Sequence, residues 1–368
     1  MRRSLEFLLL LHIPVFAVAG FWPFNFLPSN RVEPLAGRPG LRFKEPGIAC
    51  AALALPPPSG SEFTVEILLE PAEDLKGGVP SILSLWNGTL PENLMLGQWR
   101  SELVVRTAIL APERRGRYRE SGASAVLRKG ETHLLTVAAG GSGTSFYFDG
   151  RFLQRDARYR PDPGVFQGQT VLGNSIQGRS AWSGTIYGVG LLSRALFARE
   201  VEQRWQAWAR RNEEQLAAAP GLAGLYLFDG DLSRRVRDLS PGRRDLQIPE
   251  RFVPLERSIL TLPTLHSLVR HPNVTDWIVN ITGFVPFGFL LFSLMSVRRP
   301  GRPWSNAALV VITGTLVSLS IETVQVLLPL RDSSATDVLT NTSGTAIGVA
   351  LQLWITRSGI ARLRFDRT

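Results

Sequence analysis

Between Ile321 and Gly344 the chain reads IETVQVLLPLRDSSATDVLTNTSG, with chemistry-bearing groups on both sides of an apolar boundary. Glu322 and Gln325 sit inside an apolar run, and Arg331, Asp332, Asp337 and Asn341 follow closely. Glu322 and Asp337 could exchange protons as acid or base, and Arg331 could hold an anion. A charge at a bilayer centre costs on the order of 2.5 to 3.5 kcal/mol on insertion scales, so Glu322 calls for a polar partner, a proton or a watery vestibule. Arg331 is the nearest candidate cation. A second carboxylate pair, Glu62 and Glu66, lies in EFTVE. Glycoside hydrolysis needs two carboxyls about 5 to 9.5 Å apart, whereas Cα atoms four residues apart on a strand are roughly 13 Å apart. The expectation is a solvated outward face. Asp149 reads as a turn residue rather than a calcium ligand, because no run of oxygen ligands surrounds it.

The elements that must position these groups fall into two kinds. The N-terminus, MRRSLEFLLLLHIPVFAVAGFWPFNFL, follows Arg2 and Arg3 with an apolar stretch near the ~20 residues a crossing needs. Ala17-Val18-Ala19 resembles a signal cleavage site, but the run continues through Phe21, Trp22, Phe24 and Phe26, an aromatic interface anchor. An uncleaved anchor is the expectation. Three more apolar stretches follow: Trp277 to Val297, Ala307 to Leu328 and Val338 to Ile355. Arginines at 298, 299 and 302, and again at 357, 362, 364 and 367, place both flanks in the cytoplasm by the positive-inside rule. Four crossings close consistently, with both termini inside. The third stretch carries a polar stripe, Thr315, Ser318, Glu322 and Gln325; the fourth carries Asp337, Asn341, Gly344, Gly348 and Gln352; the second carries Asp276, Asn280 and Gly283. In this topology Asp276, Asn280, Glu322, Gln325, Arg331, Asp337 and Asn341 gather in the outer half of one bundle, with Glu322 roughly 9 Å below the outer end.

The middle reads differently. Segments such as FTVEILLE, HLLTVAAG, TSFYFDG and GTIYGVGLL alternate and are separated by Gly, Pro, Asn and Ser clusters, the pattern of an antiparallel sandwich. HLLTVAAGGSGTSFYFDG is a hairpin turning at Gly140, Gly141 and Gly143. LFAREVEQRWQAWARRNEEQLAAA puts Val201, Trp205 and Trp208 on one helix face, expected to pack on a sheet.

Two resemblances rest on these residues. FYFDGRFLQ, then VLGNSIQGRSAWSGTIYGVGLLSRALFAREV, is similar to the concanavalin A-like, laminin-G-like jelly rolls over roughly Arg42 to Phe252. That family implies carbohydrate or protein binding. EFTVE resembles the E-x-D-x-E strand of its polysaccharide-cleaving branch but carries Thr64 at the central position. The second resemblance is to the VanZ-like membrane family. Asp276, Asn280, Phe284, Pro286, Phe287 and Gly288 match its D-x-x-x-N and F-x-P-F-G; Glu322, Gln325, Pro329, Arg331, Ser334, Asp337, Asn341, Gly344 and Gly348 match its later motif. Gly283, Pro286, Gly288, Gly344 and Gly348 are then the helix-packing positions.

The expected fold is multidomain: an all-β concanavalin A-like jelly-roll sandwich (29–270) inserted between the first helix (1–28) and the remaining three (271–357) of a four-span α-helical bundle, with a basic tail (358–368). The expected place is a bacterial cytoplasmic membrane with the jelly roll outside. The net charge of +10 is almost all arginine. It fits a solvated basic surface or attraction to an anionic envelope polymer. One cysteine, Cys50, and four scattered histidines exclude a disulfide framework and the CxxC and HExxH metal motifs. No GxxxxGK[ST] or GxGxxG loop occurs, so nucleotide chemistry has no support; no cofactor and no nucleic-acid partner are expected. The expected partners are the lipid bilayer and an envelope glycan or anionic polymer. The polar layer stays open between interhelical glue and an outward-facing pocket; enzyme activity is not the leading reading.

Overall fold

The computed structural model describes all residues except 1, 59, 73–77, 115, 231–232, 258, 263–273, 330, 332 and 359–368. It divides into two compact units, residues 1–27 with 257–368, and residues 28–256. The expected junction at 270/271 lies outside the described residues.

In the second unit, alternation of apolar and polar residues builds two antiparallel sheets around one core. The first sheet orders Val32–Pro34 (β1), Leu41–Phe43 (β2), Gly184–Leu192 (β13), Phe63–Pro71 (β4), His133–Gly140 (β9), Gly143–Phe148 (β10) and Arg151–Asp156 (β11), with Leu222–Leu227 (β14) also paired to β13. The second orders Arg235–Val236 (β15), Leu246–Gln247 (β16), Ala49–Ala51 (β3), Gln169–Leu172 (β12), Ser81–Trp86 (β5), Leu94–Trp99 (β6), Glu102–Ala108 (β7) and Tyr118–Ala123 (β8). Phe63, Val65, Ile67 and Leu69 of β4 meet Leu83, Leu85, Leu96 and Val105 of the facing sheet. The β9–β10 hairpin turns where the glycines predict. At the next turn Asp149 and Gly150 both have positive φ, 47° and 77°. Asp149 accepts the Leu134 N–H at 2.9 Å, so it is a turn residue as expected. The ends of the unit are stitched together: Phe252 N–H donates to Pro28 O at 2.8 Å and Asn30 N–H to Glu250 O at 3.1 Å.

The helical interlude forms Ala198–Ala209 (α3) and Glu213–Ala217 (α4). Its buried face is Val201, Arg204, Ala207 and Trp208. Trp205, expected on that face, is 36% exposed and lies beside Gly150. An arginine takes the inward position because a buried carboxylate waits there.

In the first unit the N-terminal segment is two short helices, Arg2–Leu10 (α1) and His12–Phe21 (α2). Pro14 in the first turn of α2 cannot supply an N–H to Leu10, which accounts for the break. Val274–Arg298 (α5), Pro303–Gln325 (α6) and Ala335–Arg357 (α7) follow. Among the described residues three segments are long and apolar enough to cross a membrane: Arg2–Phe21, α5 and α6. The expectation of four spans is corrected here. Helix α7 has the length, but Thr336, Asp337, Thr340, Asn341, Thr342 and Ser343 make its first half polar.

Candidate functional site

The helix ends of the first unit bring the expected polar residues into contact, largely by satisfying one another. Glu322, 2% exposed, accepts the Ser334 N–H at 2.7 Å. Ser334 in turn caps α7 by accepting the Thr336 N–H. Arg331, the nearest candidate cation to Glu322, directs its guanidinium hydrogen bonds to the carbonyls of Ala19 (3.3 Å) and Trp22 (3.2 Å). Those are orphan acceptors at the C-terminal end of α2, where a cation also meets the negative end of the helix dipole. Gln325 Nε2 donates to Gly20 O at 2.9 Å. Asn341 Nδ2 donates to Ser318 Oγ at 2.9 Å, and Asp337 is hydrogen-bonded by Asn280. Asp276 is exposed. Gln325 Oε1 and Asn341 Oδ1 are buried and accept no hydrogen bond among the described residues, as is Asn306 Oδ1 at the other end of α6.

Glycines set how closely these helices approach. A Cβ on Gly344 would overlap Ile281 O, one on Gly348 would overlap Val285 O, and one on Gly288 would overlap Thr345 O, so α5 and α7 cross in backbone contact. Gly283 does not share this role, since nothing lies within 4 Å of a Cβ there, and Pro286 is exposed. The N-terminal helices join the same packing. Phe16 stacks on Phe284 at 4.5 Å, and Gly20 abuts Ile321.

In the sandwich, the carboxylate pair proves to be structural on one side. Glu66 is fully buried, not solvated as expected: Arg204 Nε and Nη2 donate to its two oxygens at 2.8 and 2.6 Å, and Trp208 Nε1 donates at 2.9 Å. Thr64, at the position of the missing acid, accepts the Leu196 N–H and donates to Arg194 O. The polar face of β4 therefore docks the segment 194–208. Gly188 and Gly190 make room for it, because a Cβ at 188 would meet Trp208 and one at 190 would lie 2.6 Å from Glu66 Oε2.

The feature that motif reasoning missed is a pair of clefts on either side of the chain at 235–239. One, about 560 Å³, is lined by Arg211, Glu213, Asp229, Arg235 and Arg237 among others. The other, about 590 Å³, is lined by Arg235, Arg237, Asp238, Ser240, Arg243 and Asp245 among others. The available signal was local: five arginines fall between 234 and 244 in a segment rich in turn formers.

Residues 235–356 match the VanZ/LLP1 family. No curated protein sequence matches the chain significantly. Among solved structures, the receptor-binding domain of botulinum neurotoxin type G aligns at 10% identity and TM-score 0.39, covering 49% of this chain and 45% of that one. A Bacteroides ovatus ATCC 8483 protein provisionally described as carbohydrate binding aligns at 15% identity and TM-score 0.39, with 60% of each chain covered. A heptameric SAP-like pentraxin from Limulus polyphemus aligns at 12% identity and TM-score 0.32, covering 46% of this chain and 79% of that one. The chain thus spans about half the length of the neurotoxin domain and 60% of the Bacteroides protein. The VanZ/LLP1 match thus covers helices α5 to α7 and the last strands of the two-sheet antiparallel sandwich that precedes them.

Proposed function

We propose that this chain, whose residues 235–356 belong to the VanZ/LLP1 family, is a membrane-anchored recognition protein of the cell envelope. In this reading the β-sandwich binds glycan and the helical bundle serves as its anchor. The observation that carries the reading is the pair of open, arginine-lined clefts on the sandwich, each within the roughly 300–1,000 Å³ of small-ligand sites. Arg2 and Arg3 before the first span, and Arg298, Arg299 and Arg302 between α5 and α6, support a sandwich outside the cytoplasm. Glycan cleavage has no support, because the Glu66 carboxylate is held by three donors under α3 and a hydrolytic pair needs both carboxyls at the substrate. A glycan panel applied to the full chain in detergent tests the proposal: binding without released sugar is expected, and no binding to any envelope saccharide contradicts it.

A second reading, a polar pocket within the bundle, is favoured by one observation. Gln325 Oε1 and Asn341 Oδ1 are buried acceptors without donors among the described residues, and such groups are rare in proteins. Asn341→Leu separates the readings. Loss of an envelope phenotype at unchanged protein level favours the pocket, while an unchanged phenotype favours the anchor.

A further inference from the structure

Five arginines crowd the segment 234–244, and the fold uses three of them internally. Arg234 donates to Pro249 O, Arg235 pairs with Asp245 at 2.7 Å, and Arg244 donates to Ala54 O and Ala223 O. Arg237 and Arg243 are exposed, and neither guanidinium has a hydrogen-bond partner among the described residues, while the Arg243 backbone N–H donates to Ser240 O at 3.2 Å. Both line the cleft of about 590 Å³. Its two carboxylates are already engaged. Asp238, 2% exposed, accepts the N–H groups of Leu225, Ser240 and Arg244 and the Ser240 hydroxyl. Asp245 accepts from Arg235 and from the Asp238 N–H. The cleft therefore presents cationic donors, and its anionic groups face the protein. The adjoining cleft is mixed, since Glu213 and Asp229 line it with Arg211.

We infer that the cleft at Arg237 and Arg243 binds the acidic group of an anionic glycan, a carboxylate or phosphate on a sugar. Planar guanidinium forks match both oxyanions bidentately, which a neutral sugar hydroxyl cannot use fully. This rests on the sandwich being the glycan-binding module, and it names the ligand class. Because neither guanidinium is hydrogen-bonded within the fold, and alanine keeps the Arg243 backbone bond, substituting both removes binding and leaves folding intact.

The test titrates the full chain in detergent with oligogalacturonate and, separately, with a neutral chito-oligosaccharide. The wild type is expected to bind the uronate, more weakly as salt rises, with the neutral sugar at least tenfold weaker. Arg237→Ala/Arg243→Ala is expected to lose at least tenfold in affinity at an unchanged melting temperature. Arg42→Ala/Arg151→Ala, an equal change of charge at exposed positions elsewhere on the sandwich, is expected to bind as the wild type. An equal loss in that control would reduce the effect to non-specific attraction and overturn the inference. Binding of the neutral sugar that ignores the cleft variant overturns the anionic assignment and leaves glycan recognition standing. Binding of neither sugar overturns the anionic assignment, and the glycan panel then decides whether glycan recognition stands.

Discussion

Glu322 and Ser334 are twelve residues apart in sequence and meet at 2.7 Å, a carboxylate oxygen accepting the N–H of the residue that caps the next helix. The turn between α6 and α7 is closed from within by that bond. The segment before α5 adds a clip, in which Thr261 N–H donates to Ser333 O at 2.9 Å and Ala335 N–H returns to Thr261 O at 3.2 Å. Together these bonds occupy much of the polar boundary of the bundle with its own partners.

The ion pair under α3 is asymmetric in its consequences. Glu66→Leu leaves Arg204 and the Trp208 indole N–H buried without their acceptor, and is expected to lower sandwich stability by about 3–5 kcal/mol. Glu66→Leu with Arg204→Met removes both charges and should recover most of that loss. Thermal unfolding of the full chain checks both, and a neutral single variant would contradict the docking role of Glu66.

Part of this was readable from sequence and part was not. The hairpin glycines and the Asp149-Gly150 turn act locally, so composition and spacing identify them. Trp182 and Gly184 are local only in part: a side chain at 184 would strike the Trp182 ring, whereas the indole Nε1 donates to Gln98 Oε1 at 2.7 Å, 84 positions away. The face of α3 was misread because periodicity ranks tryptophan above arginine, and only the tertiary position of Glu66 reverses that order. The hydrogen-bond acceptors of Arg331 escape the sequence for a related reason. Its acceptors are backbone carbonyls more than 300 positions away, and carbonyls leave no trace in a residue string. The sandwich clefts were invisible because a cavity belongs to the fold, although the arginine density beside them was on the page.

The N-terminal helices belong to the bundle through Gln325–Gly20, Arg331–Ala19 and Arg331–Trp22. The mature protein is therefore expected to retain them, and the intact mass of purified protein checks this. Cleavage after Ala19 would contradict it, since Arg331 would lose the Ala19 carbonyl and Phe284 the Phe16 ring stacked on it. Gly20→Leu, which forces a side chain against Ile321, should reduce folded yield.

Close helix approach gives a paired prediction. Gly348→Leu should separate α7 from α5 and lower the melting temperature in detergent, because no side chain fits against Val285 O. Gly283→Ala should be neutral or slightly stabilising, as open space surrounds it and alanine favours helix. Equal effects of the two would contradict the packing described.

Acid sensitivity follows from the start of α3. Hydrogen bonds from Arg194, at 2.7 and 3.0 Å, hold Glu200 below its ordinary value of 4.5. Because the folded pKa is the lower one, the stabilisation is complete above pH 4.5 and is lost as pH falls through the folded value. Melting temperatures measured from pH 6 to pH 3 should fall at the acid end, and Arg194→Ala should flatten that fall. An unchanged slope in Arg194→Ala would contradict the assignment.

The division of labour between bundle and sandwich is tested most directly by oligogalacturonate affinity per folded molecule, compared between Glu322→Ala and Arg237→Ala/Arg243→Ala in the full chain. The account predicts that Glu322→Ala melts earlier yet binds as the wild type, while the arginine pair melts as the wild type and loses at least tenfold in affinity. A Glu322→Ala protein that melts as the wild type and fails to bind would contradict it.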